Sequence, residues 1–416
     1  MKHIVSYIIV LFSMNLIAQQ SLSLDECYKL VAVNYPLAKQ HDLLEKQSTI
    51  DLDIINTEKL PKLDFLAQAT YQSDVIEIPI PSAGIEPINK DQYRTTLSVN
   101  QLIYGGGSID ASLKARVTAL KTQQKQIDVN LYQLKKQVNQ LYFSVLLLQE
   151  KRNLLLSKKE QLETKLSEVR SGIENGVILP TSDRILEVEL LKIGQQFSDI
   201  SLSRKSLLET LSTLIGQDID STIVLQNPEV STRLKTEIYR PELVLFKLKK
   251  EEIEASQQLI SKQNAPKLLG FATGGYGNPG LDMLDNSFQA FYTVGVKLNW
   301  NVFDWNANKK KRASLAINKA VINSEIEIFE LNTSIELNQQ QLEIEKLSQF
   351  IASDLDIIQL RKEVLKSTES QLRNGVITAS VYITELTNLY EDKNNLDVHK
   401  IQLLLAKANY NVTKGY

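Results

Sequence analysis

The chain has 416 residues, 43% hydrophobic and 23% charged, a balance that excludes a disordered, collagen-like or disulfide-dense chain. Lys and Arg number 47 against 49 Asp and Glu, and no basic cluster is interleaved with aromatics, so nothing selects nucleic acid as a partner. One cysteine, Cys27, and three histidines, His3, His41 and His399, make zinc or redox chemistry a poor expectation and leave no intrachain disulfide.

Residues 1–18 read as a signal peptide: one early cation, Lys2, an apolar stretch from Ile4 to Leu16, then Ala18 before polar Gln19 and Gln20. The apolar stretch is shorter than the roughly 20 residues a membrane anchor needs. Cys27 follows Leu24-Asp25-Glu26 well beyond it and reads as a small buried residue of the first helix. No later window approaches the length of a transmembrane helix, so any crossing of a membrane is left to strands.

After the first helix the period changes to two. Leu63, Phe65, Ala67, Ala69 and Tyr71 alternate with Asp64, Leu66, Gln68 and Thr70, and Tyr93, Thr95, Leu97 and Val99 alternate with Arg94, Thr96, Ser98 and Asn100. Strands of about 10 residues suit a tilted membrane strand, although a soluble sandwich uses the same alternation. Gly105-Gly106-Gly107 then precedes a helix without the Lys-Ser/Thr of a phosphate loop, and reads as a flexible strand-to-helix junction.

From Ser108 to Gly172 the period is seven. Leu113, Leu120, Ile127, Leu134, Leu141, Leu148, Leu155, Leu162 and Val169 hold one heptad position, with Val117, Leu131, Val138, Val145 and Leu166 at its companion, interrupted by Gln124, Arg152 and Lys159. A sustained 3.5 period means coiled-coil packing, and a helix of this extent at 1.5 Å per residue is about 98 Å long. Gly172, Gly176 and Pro180 break it, and Thr181-Ser182-Asp183 are cap candidates for a return helix bearing Ile185, Val188, Leu191, Ile200, Leu207, Leu211 and Leu214.

The second half repeats the first. Pro36 and Pro61 recur as Pro241 and Pro266, 205 residues on, and Tyr104 and Gly176 recur as Phe303 and Gly375, 199 residues on. The expected organisation is a first repeat over 19–220 (helix, strand pair 61–104, helical hairpin), a linker over 221–239, and a second repeat over 240–416 with its strand pair at 266–303. In that second pair Tyr292, Val294, Val296, Leu298 and Trp300 form one apolar, lipid-facing side, while Gln289, Phe291, Thr293, Gly295, Lys297 and Asn299 make the opposite, mostly polar one. Leu337, Ile344, Ile351, Ile358, Leu365 and Leu372 repeat the heptad, and a return helix follows through Val381, Ile383, Leu386 and Leu389. The fold class is mixed α and β: two long antiparallel coiled-coil hairpins and four membrane strands per chain. Four strands cannot close a barrel, since outer-membrane barrels need about eight or more, so several copies must share one.

The chain resembles the TolC-like outer-membrane efflux proteins. The residues that carry this are Leu22-Ser23-Leu24-Asp25-Glu26-Cys27 leading to Asn34-Tyr35-Pro36, and Leu60-Pro61-Lys62-Leu63 at the start of a strand. With them stand Gln101 to Gly107 and Asn299-Trp300-Asn301-Val302-Phe303-Asp304-Trp305 at the strand-to-helix junctions, and the Asn-Gly-Val turns at Gly176 and Gly375. The resemblance implies a homotrimer with a shared twelve-stranded barrel in the outer-membrane lipid and a periplasmic helical tunnel. It also implies a periplasmic adaptor that links the channel to an inner-membrane efflux transporter; since the sequence offers no constellation of nucleophile, base and metal ligand, the expected role is a passive conduit with no catalysis, cofactor or metal. The hairpin tips, Gly176, Val177, Ile178, Gly375, Val376 and Ile377, would be the adaptor-docking residues. The family's acidic tunnel constriction has only weak counterparts here, Asp183 and Glu187 after the first tip and Glu385 after the second.

Two other functions fit the same pattern: the exit duct of a type I protein-secretion system, and a periplasmic coiled-coil adaptor or scaffold that does not span a membrane. The duplicated strand pairs argue against the latter. His41 and His399 lack a partner histidine at ligand spacing and read as solvated helix residues. Lys309-Lys310-Lys311-Arg312 reads as a solvated helix start, or as a basic run near the membrane surface that meets anionic lipid.

Overall fold

A computed structural model describes residues 21–76, 87–232 and 237–416. The elements run β1 (Ser21–Leu22), α1 (Leu24–Asn34), a 3-10 turn (Pro36–Lys39), α2 (Gln40–Thr57), β2 (Lys62–Tyr71), β3 (Asp91–Tyr104), α3 (Ser108–Glu174), α4 (Ser182–Ile215) and β4 (Val224–Leu225), and then α5 (Pro241–Gln263), β5 (Lys267–Asn278), β6 (Gln289–Asn299), α6 (Ala307–Arg373) and α7 (Ala379–Lys414). The expected signal peptide lies outside the described residues. Among the described residues no helix is long and apolar enough to cross a membrane.

The chain forms two units, one from residues within 1–38, 130–240 and 331–416, the other from 39–129 and 241–330, with α3 and α6 contributing to both. The second unit holds an antiparallel sheet in the order β2-β3-β5-β6. Its strands run 10, 14, 12 and 11 residues, long enough to cross a bilayer when tilted. β2 and β6 are edge strands whose outer sides pair with no other strand among the described residues.

The first unit is built on two apolar cores. In one, Cys27 and Val31 of α1 pack with Val138, Tyr142, Phe143 and Leu146 of α3 and Leu211 and Ile215 of α4. α1 is started by a capping box, the Ser23 hydroxyl accepting from the Glu26 N–H while the Glu26 carboxylate accepts from the Ser23 N–H at 3.0 Å. Burial pushes the Cys27 thiol up to about 12, which keeps it protonated and unreactive. The other core joins Leu162 and Val169 of α3, Leu186 and Ile193 of α4, Ile358, Leu365 and Leu372 of α6, and Tyr382 and Leu386 of α7. These include the heptad positions read from the sequence, and each fully buried Leu or Ile stabilises by about 1.5–3 kcal/mol.

The return helix α4 has a different phase from the expected one near its start. Leu186, Ile193 and Ile200, seven residues apart, are buried, whereas Ile185, Val188 and Leu191 are exposed. Thr181 does not cap α4; its backbone is left-handed at φ 76° and its side chain makes no capping hydrogen bond. On α7, Tyr382 is fully buried and Val381 exposed.

Candidate functional site

The register of the sheet places apolar residues of all four strands on one face. Directly paired residues share a face, and the pairs Phe65↔Leu97, Leu97↔Gly274 and Gly274↔Tyr292 run across the strands, as do Leu63↔Val99, Val99↔Ala272 and Ala272↔Val294. Val296 and Leu298 continue this face opposite Gly270 and Leu268. Tyr292, Val294, Val296, Leu298 and Trp300 are all exposed, as are Leu63, Phe65, Tyr71 and Leu97. A water-exposed apolar face of this extent is outside the habit of soluble monomers.

The opposite face carries Asp64, Gln68, Arg94, Thr96, Ser98, Thr273, Thr293 and Lys297. Ser98 and Thr273 hydrogen-bond across it at 3.0 Å. Its two aromatics are seated on glycines of the neighbouring strand: a Cβ on Gly295 would lie 2.9 Å from the Phe271 ring, and one on Gly275 would run into Phe291. Arg94 stacks over Phe291 at 5.7 Å.

The two hairpin tips, both in the first unit, end α3 and α6 in the same way. The Gly176 N–H bonds the Ile173 carbonyl at 3.0 Å and the Val177 N–H the Gly172 carbonyl at 2.9 Å; Gly375 and Val376 repeat this on Leu372 and Gln371 at 3.0 and 2.9 Å. This is the Schellman arrangement, and both glycines hold φ 70°. The Asn175 and Asn374 amides each bond the carbonyl four residues back, on Ser171 and Ser370.

The tip residues divide into two groups. Val177 and Val376 are exposed, while Ile178 and Ile377 are half-buried and packed on the apolar core. Ile178 lies against Gly172, where a Cβ would meet it at 2.5 Å. Leu179, absent from the sequence reading, is 63% exposed and adds a third apolar side chain to the tip surface. Its apolar character beside Pro180 was the available signal.

The three candidate constriction acids are partly or wholly neutralised within the chain. Glu187 accepts from Arg170 at 2.6 Å and Arg184 at 2.8 Å, and those hydrogen bonds, Arg184's first, hold its carboxyl below the usual range. Glu385 pairs with Arg361 at 3.3 Å, and Asp183 lies 3.9 Å from the Arg184 guanidinium. Deeper in, the buried Lys158 reaches Glu189 at 2.8 Å beside a cavity of about 370 Å³ lined by Leu148, Leu155, Ile200 and Tyr390. Lys165, also buried, bonds Glu168 at 2.6 Å and Glu369 of α6 at 2.5 Å, which ties the first hairpin to the second.

His41 and His399 are not free: His41 meets Asp128 at 3.0 Å and His399 meets Asp354 at 2.6 Å. Gly106 and Gly107 hold left-handed backbone at the β3-to-α3 junction, where glycine is the natural residue. Among the described residues no cluster of three His, Cys, Asp or Glu is disposed to hold a metal ion.

Residues 39–217 match the family described as outer membrane efflux protein. No curated protein matches the sequence. The fold matches the outer membrane protein VceC of Vibrio cholerae at TM-score 0.66 and 14% identity, covering 94% of this chain and 96% of that one. It matches the outer membrane channel CmeC of Campylobacter jejuni at 0.63 and 14%, covering 94% and 86%, and the open state of the MtrE outer membrane channel of Neisseria gonorrhoeae at 0.65 and 15%, covering 94% and 89%. The resemblance carried by the sequence motifs thus stands: residues 39–217 bear the pattern of the outer membrane efflux protein family, and nearly the whole chain has the fold of these outer-membrane channels.

Proposed function

We propose that this protein is the outer-membrane channel of a tripartite efflux system, a passive conduit built from two copies of one helix-strand-strand-hairpin unit. Three chains place their strands edge to edge, β6 of one against β2 of the next, to close a twelve-stranded barrel. The long hairpins form a periplasmic tunnel whose tips receive an adaptor coupled to an inner-membrane transporter. The observation that supports this most strongly is the apolar face held in register across all four strands of a sheet with two open edges. Exposed edges and an exposed apolar face are each a liability in water and both are removed by closure in lipid. Export is driven elsewhere; the chain's part is a continuous polar lumen. The test is purification from outer membranes, sizing in detergent and crosslinking in cells. Recovery of a trimer crosslinked to an adaptor supports the reading, and recovery from the soluble periplasm as a monomer overturns it.

A further inference from the structure

The chain's two tryptophans, Trp300 and Trp305, both stand where β6 hands over to α6. They are exposed together with Val302 and Phe303, and the Phe303 and Trp305 rings meet edge to face at 4.8 Å. Lys309, Lys310, Lys311 and Arg312 follow at once in α6. All four are exposed, the first turn of α6 contains no acid, and none of the four joins an ion pair among the described residues. Four consecutive helical residues, 100° apart, point cations almost all round the helix.

The other half of the chain is an internal control. The offset of 199 that relates Gly176 to Gly375 also relates Ser108 to Ala307, the first residues of two helices of 67 residues each. At this offset Gly106 and Gly107 correspond to Trp305 and Asn306, and all four are left-handed, with φ 64°, 77°, 55° and 61°. Glycine adopts that backbone freely; tryptophan does so against its own Cβ. Trp305 gains little from the fold in return, being 79% exposed. At the same offset Asp110-Ala111-Ser112-Leu113 corresponds to Lys309-Lys310-Lys311-Arg312. Asp110 suits the positive end of a helix and pairs with Lys59 at 3.7 Å, whereas four cations there oppose the dipole and one another. Both departures from the first copy lower local stability, and both are accounted for by one external surface that takes aromatic rings beside a sheet of negative charge.

We propose that this junction binds the headgroups of anionic phospholipid in the leaflet at the helix side of the sheet. Trp300, Phe303 and Trp305 lie at the boundary between acyl chains and headgroups, and Lys309 to Arg312 pair with the phosphates. The aromatic group continues the apolar face of β6, and Lys62 and Lys267, which begin β2 and β5 at this same end of the sheet, add to the cationic rim. The proposal rests on the reading of the sheet as membrane-spanning.

The test uses full-length protein from outer membranes, reconstituted in phosphatidylcholine vesicles carrying increasing fractions of brominated phosphatidylglycerol or of brominated phosphatidylcholine. With only two tryptophans in the chain, quenching of emission excited at the red edge, where tryptophan absorbs and the 15 tyrosines do not, reads this junction alone. The anionic quencher is expected to act at about a fivefold lower fraction than the zwitterionic one, the factor that about one well-placed cation contributes at a charged surface. Lys309→Gln, Lys310→Gln, Lys311→Gln and Arg312→Gln together should abolish that preference and leave quenching by brominated phosphatidylcholine unchanged. Trp305→Gly should leave the thermal transition in detergent at or above its original value, because it removes a strained residue; a fall would make the ring structural and overturn its assignment. Equal quenching by both lipids overturns the headgroup site while the sheet still spans the membrane. Absence of quenching by either overturns the site together with the membrane-spanning reading.

Discussion

Gly375 touches the opposite hairpin tip: a Cβ on it would stand 2.8 Å from the Val177 carbonyl oxygen, at φ 70°. Gly176, with the same φ, has nothing within 4 Å of the same point. Gly176→Ala should therefore cost about 1 kcal/mol for the left-handed backbone alone. Gly375→Ala should cost about 2 kcal/mol or more, since a backbone oxygen must also move. Hydrogen exchange of the amides around each turn measures both. Equal responses would contradict the contact between tips.

Val294→Arg or Val296→Arg should cost about 2–4 kcal/mol and lower the yield of assembled protein in outer membranes, if that face meets the bilayer midplane. Lys297→Glu, on the opposite face, should assemble as the parent does. Equal tolerance on both faces would refute the assignment of lipid and lumen sides.

Replacing the exposed Val177, Leu179 and Val376 with Asp should abolish adaptor crosslinking and drug resistance while trimer yield is kept, since each of these side chains is more than half exposed and belongs to neither apolar core. Ile178→Asp or Ile377→Asp should instead destabilise the hairpins, because each would place a charge against the apolar core. Export that survives the triple substitution would put the docking surface elsewhere.

Lys158 and Glu189 are 8% and 14% exposed in their side chains, so the pair is deeply held. Lys158→Met should cost about 3 kcal/mol by leaving a buried carboxylate with Lys192, at 3.5 Å, as its remaining ion-pair partner among the described residues, and Glu189→Leu added to it should recover most of that loss. The shift in thermal transition of the helical signal reports both.

The ion pairs of Glu187 predict an acid limb. A carboxyl whose pKa is depressed on folding contributes stability present above the usual carboxylate range and lost as pH falls through its folded value. Protection of the α3–α4 turn should thus hold from neutral pH down to that range and decline below it, and Glu187→Gln should flatten the decline. Hydrogen exchange of residues 170–187 against pH is the measurement; an unaltered decline in the variant would assign it to other groups.

The heptads of α3 and α6, the alternation in β6 and the tip glycines were legible because each is a period or a backbone requirement that one sequence displays. The phase of α4 was not. Ile185, Val188 and Leu191 are as apolar as Leu186 and Ile193, and only packing against α3, α6 and α7 selects the latter, while Ile200 further along was named correctly. Thr181 stands next to Ser182 and Asp183, three residues with equal capping chemistry, so the true helix start could not be chosen by type. Leu179 was hidden by its position before Pro180, which reads as a breaker first. Trp305 in left-handed backbone carries no local signal at all; only its alignment with Gly106 betrays it.

The most direct test of the central claim is disulfide scanning between the open edges, with cysteines placed along β2 around Ala67 and along β6 around Val294 of a Cys27→Ser chain. Closure of three copies predicts that some pairs form a ladder in outer membranes of one, two and three linked chains and no higher species, because a ring has no free edge. Ladders running beyond three chains, or no crosslink at any register in protein recovered from the outer membrane, would contradict it.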